Sequence, residues 1–448
     1  MREVQLKKWL LCALVGCSSE AANGIVNVHD DSAVLPGLDA TADSGVPASD
    51  SAVGDSAVPP TFTRYVTTAR HSPFAEPVIA KLKAVLAGGT RGPHAFSKMG
   101  ASNTVNTGFL SCFAGNNVKL ENYASLEPTR AWFGAPLPDG TSAYSRVSEA
   151  ATVGWRAVKV VEGSPNAATK ELTETNASFA LITLGTNDSF EGGLDSFDRN
   201  IRKLIDQLLT MHVVPVLSTV PPRTDSIEAD RLAREINALI WLAGETYQVP
   251  VVNIYDALTP LGDGALLSDG IHLSVYTSSG SKGCWFTPEA LKKGHNTRNL
   301  LTLEALDRAK RFLLESEAAE AAVAKLVGSG TLVDPIVIEN FPFAAEGDTK
   351  NLTSTIDSYS CGSQNESGGE IVYRFTVTKR GTVRFRVLDD DGVDVDLQLL
   401  TAADPKACKK RSDSTLEDTL EPGTYWLVVD TFNGSANAGK FRLSAIEF

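Results

Sequence analysis

The sequence predicts a three-layer α/β/α domain built on a parallel sheet, followed by a small all-β sandwich domain. Between residues 61 and 330, short apolar runs alternate with segments whose apolar residues recur every three or four positions. This alternation is typical of strands and helices in a parallel sheet that is covered on both faces. From residue 331 to residue 448 the sequence changes to short runs of alternating polar and apolar residues, broken by Gly, Asp and Pro. Such runs are typical of a β-sandwich.

The individual elements follow from these patterns. The segment "SPFAEPVIAKLKAVLAGG" begins with Ser-Pro and stops at Gly-Gly, which predicts a helix over residues 72–89. The other predicted helices of the first domain are residues 197–212, residues 226–247 and, as one closing helix or a pair of helices, residues 298–328. Its predicted strands are residues 178–185, 213–220 and 249–256. The predicted strands of the second domain are residues 370–378, 381–388, 393–400, 423–430 and 439–448. In a parallel sheet, sites form at the carboxyl ends of the strands.

Charge is distributed unevenly along the chain. The 448 residues carry a formal net charge of −13. Residues 18–60 hold seven acidic residues and no Lys or Arg, residues 331–448 are also acidic, and residues 61–330 are nearly neutral. The sequence has no basic stripe that would favour binding to nucleic acid. It also has no run of 18 or more apolar residues that could span a membrane. We therefore expect neither a nucleic-acid partner nor a transmembrane helix.

The first 17 residues are typical of an export signal. "MREVQLKK" is a basic head, and "WLLCALVG" is a short apolar run. The run ends in "LVGC", which resembles the lipobox of bacterial lipoproteins and implies lipidation of Cys17; the alternative is a plain signal peptide with a chance cysteine. Several acyl chains on one residue would hold the protein stably on a membrane. Ser18 resembles the signal for outer-membrane routing, so we expect the outer membrane or cell surface if the organism is Gram-negative.

Residues 18–60 contain no aromatic residue and are rich in Ala, Ser, Asp, Gly, Val and Pro. Such a composition cannot build a core, which predicts a disordered linker. The predicted organisation is therefore a signal peptide (1–17), a linker (18–60), an α/β domain (61–330) and a β-sandwich (331–448).

The cysteine count agrees with export. Cys12 would leave with the signal, and the cysteines that remain beside Cys17 are Cys112, Cys284, Cys361 and Cys408. An even number fits disulfides in an oxidising compartment. Of the three possible pairings, the simplest joins Cys112 to Cys284 and Cys361 to Cys408, and the alternative is four buried thiols. Their spacings match no zinc site.

Four short motifs carry residue types that suit hydrolysis. In chain order they are "MGASN", "VGWRA", "LITLGTNDS" and "SDGIHLS". A serine hydroxyl becomes a nucleophile when a base takes its proton, which assigns these roles to Ser102 and His272. Asp269, three residues before the histidine, can hold the imidazole in one tautomer. The Asn187 side chain and the backbone N–H groups of Ser102 and Gly154 are candidates for the oxyanion hole.

Competing candidates are weaker. Ser56 in "VGDSAV" lies in the predicted linker, which lacks the rigid setting that a nucleophile needs. Each of the four motifs, taken singly, is more often a turn or a helix cap, but their order within one α/β domain favours a common site. The remaining histidines lack a nearby acid in a comparable motif, which favours structural or solvated roles; they are His29, His71, His94, His212 and His295.

Together these motifs resemble the SGNH hydrolase superfamily, the GDSL esterases and lipases, over roughly residues 61–330. The resemblance implies that Ser102 is the nucleophile, that Asp269 and His272 complete the triad, and that Gly154 and Asn187 build the oxyanion hole with Ser102. "STVPPR" (218–223) also resembles a common family segment. One departure is Ala101, where the family usually has Asp in Gly-Asp-Ser.

The resemblance implies hydrolysis of a carboxylic ester or a carbohydrate O-acyl ester through an acyl-enzyme, with no metal or cofactor. The expected partner is an ester substrate, such as an acylated carbohydrate, a lipid or a small ester. Two alternatives stay open. One alternative is that the protein is a catalytically inactive surface-binding lipoprotein. The other is that it is an SGNH acyltransferase that delivers the acyl group to a sugar.

The C-terminal region resembles the bacterial pre-peptidase C-terminal domain over about residues 345–448, on segments such as "DVDLQLL" and "LEPGTYWLVVD". This resemblance implies no catalysis, and contact with a surface or polymer is one role to expect. Five acidic residues crowd one hairpin and offer oxygen ligands of the kind that calcium prefers, although we favour a solvated acidic turn; they are Asp389, Asp390, Asp391, Asp394 and Asp396.

Overall fold

The first part of the chain folds around a parallel sheet of four strands. In the computed structural model, which describes residues 62–448, these strands lie in the order β1 (Gly92–Gly100), β2 (Ala177–Thr183), β3 (Val214–Ser218) and β4 (Val251–Val252). Almost every residue of β2 and β3 is buried, which explains their uninterrupted apolar sequences. The register pairs Gly100, at the end of β1, with Thr183, at the end of β2. The carboxyl ends of these strands therefore share one edge of the sheet.

Helices cover both faces of this sheet. They are α1 (Glu76–Ala87), α2 (Ser102–Val105), α3 (Glu127–Phe133), α4 (Ala157–Val161), α5 (Ala167–Thr175), α6 (Leu194–Thr210), α7 (Ile227–Tyr247), α8 (Ile254–Leu258) and α9 (Gly294–Leu314). α6 packs against α4 and α7, whereas α9 packs against α1, α3 and α8. This is the three-layer α/β/α arrangement that the sequence predicts. Within residues 62–448, none of the helices is both long enough and apolar enough to cross a bilayer.

Among the differences between the observed and predicted elements of the α/β region, three have a clear physical reason. The prediction lacks β1, because its sequence "GPHAFSKMG" mixes polar residues with apolar ones. Lys98 within it is buried and donates to the Tyr144 carbonyl oxygen at 2.8 Å. The strand predicted over 249–256 shortens to β4, because the Asn253 side chain accepts a hydrogen bond from the Asp256 amide and caps α8.

The last predicted helix is also too long. Instead of running to residue 328, α9 ends at Leu314, and Ser316 follows with a φ of 64°. Beyond it, Glu320 accepts a hydrogen bond from the Phe74 amide at 2.7 Å and pairs with Arg308. These contacts fix the chain in a non-helical path back along the α/β region.

The C-terminal strands form a sandwich of two mainly antiparallel sheets. They are β5 (Ile336–Val337), β6 (Phe343–Asp348), β7 (Glu370–Val377), β8 (Gly381–Asp389), β9 (Val395–Leu400), β10 (Cys408–Ser412), β11 (Thr415–Leu420), β12 (Gly423–Thr431) and β13 (Lys440–Glu447). One sheet has the order β10-β9-β12-β7-β5, and the other has the order β11-β8-β13-β6. All five predicted strands are present. The prediction misses β5, β6, β10 and β11, of which β10 ("CKKRS") is too polar to give an apolar signal.

The sheet β11-β8-β13-β6 is buried on both faces. The apolar residues at alternate positions of 383–387 face the core of the sandwich. The residues between them, Arg384 and Arg386, face α7 on the other side. Arg384 Nη1 lies 2.6 Å from Glu228 Oε1, and Arg386 Nε lies 2.7 Å from Glu235 Oε2. The Glu235 side chain is 1% exposed, so this ion-pair network lies inside the protein.

Other contacts extend the same interface. Arg442 of β13 lies 3.0 Å from the buried carboxylate of Asp198 on α6. Beside these charges, Ala238 and Leu242 of α7 form a small buried apolar cluster with Ala344 of β6. The α/β region and the sandwich therefore belong to one compact unit.

Both expected disulfides are confirmed. Cys112 is bonded to Cys284, with Cα atoms 5.7 Å apart, and Cys361 is bonded to Cys408, with Cα atoms 5.3 Å apart. The first disulfide joins the short helical turn after α2 to the loop that precedes α9. The signal peptide, the linker, Cys12, Cys17, Ser18, His29 and Ser56 lie outside the described residues.

Candidate active site

Ser102 stands where β1 ends and α2 begins. It is the first residue of α2, so its backbone N–H has no acceptor within the helix. Two residues earlier the chain has no room for a side chain, since a Cβ on Gly100 would lie 2.2 Å from Thr104 Oγ1 and 2.6 Å from Thr183 Oγ1. Ala101 occupies the N-cap position and provides no side-chain cap. The turn is thus held by close backbone packing around Gly100.

His272 and Asp269 reach the serine from the loop that precedes α9. His272 Nε2 lies 2.9 Å from Ser102 Oγ, and His272 Nδ1 lies 2.7 Å from Asp269 Oδ2. The other carboxylate oxygen of Asp269 accepts hydrogen bonds from the backbone amides of Ile271 and His272, both at 2.9 Å. Partial burial raises the pKa of Asp269, but these amides and the imidazole outweigh it and hold the pKa below its usual value. Asp269 is therefore the ionised partner of the imidazole at neutral pH.

The loop is shaped for this pairing by a glycine. Gly270 has a φ of 69°, and a Cβ there would lie 2.5 Å from the Asp225 backbone nitrogen. Its carbonyl oxygen accepts a hydrogen bond from the Thr224 amide at 2.9 Å. The tight turn allows Asp269 to fold back onto a histidine only three residues away.

The two other sequence-predicted residues lie on neighbouring segments. Residues 150–152 run beside the end of β1, with the Thr152 amide donating to the Gly100 carbonyl at 3.3 Å. Gly154 follows in a left-handed conformation, with a φ of 78°, and is exposed. Asn187, in the loop after β2, donates from Nδ2 to the Trp155 carbonyl oxygen at 3.0 Å. Because an amide nitrogen carries two hydrogens, this bond leaves Asn187 a second donor.

Asp188 also connects the Asn187 loop with the segment that follows Gly154. Its carboxylate is buried and accepts a hydrogen bond from the Ala157 amide at 3.2 Å. Burial is the main reason that the pKa of Asp188 rises to about 6. The bond joins the residue after Asn187 to the first residue of α4, so it links the two candidate oxyanion segments.

Asn103 also supports the candidate site, although the predicted site does not include it. Its Oδ1 accepts a hydrogen bond from the Leu273 amide at 3.0 Å, and its Nδ2 donates to the Ile271 carbonyl at 3.3 Å. Asn103 therefore bonds the backbone on both sides of His272. Its own carbonyl accepts a hydrogen bond from buried Arg298 Nη1 at 2.6 Å. The asparagine in "GASN" was the available signal, since its side chain can bond two backbone groups at once.

The remaining histidines of the described region have other surroundings. His295 is fully buried, and burial, together with Arg298 and His272, lowers its pKa to about 3. His71 is mostly buried and lies 3.1 Å from Glu304. His212 packs against Gly88 and Gly89. None of these side chains is bonded to Ser102 in the described structure.

The acidic hairpin of the sandwich is not simply solvated. Asp396 is buried and pairs with Arg411, and Asp390 pairs with Arg442. Among the described residues, carboxylate oxygens of Asp394, Asp396 and Asp413 come within 4.8 Å of one another. Arginine pairing thus takes up part of the charge that the sequence concentrates here.

Residues 111–276 match the model of the GDSL-like lipase/acylhydrolase family. Over this span the chain is similar to GDSL-like lipases and acylhydrolases. The matched span includes Gly154, Asn187, Asp269 and His272, and begins after Ser102. No curated protein sequence is significantly similar to the chain.

Solved structures resemble separate parts of the molecule. A GDSL-like lipase from Bacteroides thetaiotaomicron is 13% identical and has a TM-score of 0.29, over 52% of this chain and 98% of its own. An acetylxylan esterase from Geobacillus stearothermophilus is 14% identical, with a TM-score of 0.31, over 47% and 93%. The pre-peptidase C-terminal domain of a Bacillus anthracis collagenase is 18% identical, with a TM-score of 0.19, over 24% and 91%.

Proposed function

We propose that this protein is an exported, lipid-anchored serine ester hydrolase that works through an acyl-enzyme. One observation carries the proposal: Ser102 Oγ, the imidazole of His272 and the carboxylate of Asp269 form a continuous chain with contacts of 2.9 and 2.7 Å. This is the geometry that nucleophile, base and orienting acid require. Export and lipidation rest on the first 17 residues alone, through the basic head, the apolar run and Cys17.

The reaction follows from these contacts. His272 Nε2 takes the proton of Ser102 as Oγ attacks the ester carbonyl carbon, and Asp269 stabilises the imidazolium that forms. The N–H groups of Ser102 and Gly154 and the second Nδ2 hydrogen of Asn187 stabilise the oxyanion. The imidazolium then donates its proton to the leaving alkoxide. Water then attacks the acyl carbonyl carbon as His272 takes one of its protons, the bond between that carbon and Ser102 Oγ breaks, and the imidazolium returns the proton to Ser102 as the carboxylic acid leaves.

The surroundings of the triad favour an ester with an apolar group beside the carbonyl. Large apolar side chains stand exposed within three residues of the proposed catalytic groups: Val105 is 42% exposed, Val153 66%, Phe190 44% and Leu267 50%. Exposed apolar side chains concentrated around one site are typical of a surface that binds apolar ligands. The Phe190 ring lies 5.6 Å from the Arg156 guanidinium. This contact joins the segment after Asn187 to the segment after Gly154. We therefore expect acyl chains longer than acetyl to react best.

Esterase assays on the full-length protein test this proposal. The substrates are p-nitrophenyl acetate, butyrate and octanoate, and the variants are Ser102→Ala and His272→Ala, with Ser56→Ala as the matched serine control. We expect each triad variant to lose ~10³-fold or more in kcat, because nucleophile and base act as a unit, and Ser56→Ala to equal wild type. Wild type at background, with no fluorophosphonate labelling of Ser102, would reject the hydrolase and favour an inactive surface-binding protein. Best turnover on acetate would reject only the apolar preference.

A further inference from the structure

Arg223, at the end of "STVPPR", connects the loop that carries Asn187 with the loop that carries Asp269. Its Nη1 donates to the Thr186 carbonyl oxygen at 3.2 Å and to Ser189 Oγ at 2.9 Å. Thr186 immediately precedes Asn187, and Ser189 Oγ itself donates to the Thr186 carbonyl at 2.7 Å. One guanidinium nitrogen therefore fixes the backbone of the loop that presents the Asn187 amide.

The same arginine is tied to the loop of the catalytic acid. Its Nε and Nη2 form a two-pronged pair with Asp225, at 2.9 and 2.6 Å. Between them, the Thr224 amide donates to the Gly270 carbonyl at 2.9 Å, one residue after Asp269. Segment 223–225 thus contacts the oxyanion loop with its side chain and the acid loop with its backbone.

We propose that Arg223 is a positioning residue, which sets the Asn187 donor against the Ser102–His272–Asp269 chain and neutralises Asp225 beside Asp269. This inference rests on the proposed ester hydrolysis. Oxyanion donors act only if they lie close to the developing charge, and a displacement of about 1 Å costs ~10²-fold in rate. A planar guanidinium holds two partners at fixed angles, which a lysine ammonium cannot do.

The charge of Arg223 has a separate effect. The charged and titratable groups around the His272 loop are Asp269 on the loop itself, Asp225 from the segment after β3, and His295 from α9, which lies beside Arg298. Arg223 is the main reason that the pKa of Asp225 lies below its usual value. Without the arginine, an unpaired carboxylate would remain beside Asp269, the partner of the imidazole, and its added negative charge would favour the protonated imidazole. Since the base must be neutral, the acidic limb of activity would move to higher pH.

Four variants of the full-length protein separate these roles: Arg223→Met, Arg223→Lys, Arg223→Met/Asp225→Asn and, as a remote control, Arg380→Met. With the best p-nitrophenyl ester, we expect Arg223→Met to lose ~10–100-fold in kcat, with KM within about twofold. We expect its acidic limb in kcat/KM to move up by roughly 0.3–0.5 pH unit at low salt. Arg223→Lys keeps the charge, so its limb stays at the wild-type pH while kcat still falls. The double variant returns the limb to the wild-type pH without restoring kcat.

The outcomes are distinguishable from those of the hydrolase proposal. If wild type hydrolyses esters and Arg223→Met keeps its kcat per folded molecule, Arg223 does not position the site and this inference is wrong. A loss that appears in KM alone, or a limb that stays in place in Arg223→Met, likewise overturns the role assigned here. If wild type shows neither turnover nor labelling of Ser102, the hydrolase proposal fails, and this one fails with it.

Discussion

The proposed catalytic edge, which carries Ser102, Asp269 and His272, and the interface between the α/β region and the sandwich use similar polar residues in opposite ways. At the catalytic edge, Asp269 and His272 are about half and one third exposed, and they are held by backbone amides. At the interface, the side chains of Arg384 and Glu235 are at most 8% exposed and are held by each other. Water supports charges at the edge, whereas at the interface only the partner does.

This contrast separates two kinds of sensitivity. A change at the proposed catalytic edge alters the protonation state or the tautomer of a side chain, and it leaves the apolar core unchanged. A change at the interface leaves a buried charge without its partner, which costs stability wherever the chemistry takes place. Activity and stability are therefore expected to respond to different residues of this one unit.

The largest effect is expected for Asp269→Asn. The asparagine oxygen can still accept from the amides of Ile271 and His272, so the turn should remain. Its NH₂ group, however, would face His272 Nδ1 and favour the tautomer that cannot take the serine proton. We expect kcat to fall by ~10⁴-fold, with an unchanged melting temperature. Ester turnover and thermal unfolding of the same samples check this, and full activity in the variant would show that another acid serves His272.

The catalytic edge was largely predictable from sequence, because its chemistry is local. Asp269 and His272 share one turn, and Gly100 and Ser102 share another, so short motifs carry most of the geometry. The fold class also followed from periodicity, and the cysteine count predicted disulfides, with the observed pairing as the simplest of three. Asn103 was not found, because its partners lie about 170 residues away and no local pattern records them.

The interface was not predictable for a related physical reason. In β8, arginines alternate with apolar residues, and this is the pattern of a strand with one face in water. The structure buries that polar face because Glu228 and Glu235 on α7 supply the matching charges. Only the juxtaposition of two distant segments distinguishes a buried arginine row from a solvated one. β1 was not predicted for the same reason, because the hydrogen-bond acceptor of its buried Lys98 lies on another segment.

A smaller effect, on stability rather than chemistry, is expected for Glu235→Ala. The substitution removes the buried carboxylate shared by Arg384 and Arg386 and leaves their guanidinium groups with only the more exposed carboxylates of Glu228, Glu417 and Glu191. Because these partners remain, we expect a loss of about 2–3 kcal/mol in unfolding free energy, less than for an unpaired buried charge, or roughly 4–8 °C in Tm. The kcat per folded molecule should be unchanged, because Glu235 does not contact the triad. A loss below about 1 kcal/mol would show that the remaining carboxylates or water satisfy both guanidinium groups and that Glu235 is not essential to the interface.

The smallest effect is expected for the exposed counterpart of that pair. Arg380 and Glu421 lie 2.9 Å apart on the sandwich, but their side chains are 68% and 72% exposed. Glu421→Gln should therefore change the unfolding free energy by no more than about 0.5 kcal/mol, as measured by the same denaturation experiment. Bond length is similar in the two pairs, so a matching large loss at Glu421 would mean that burial does not distinguish them. A negligible loss beside a large one at Glu235 would show that exclusion of water gives the interface its weight.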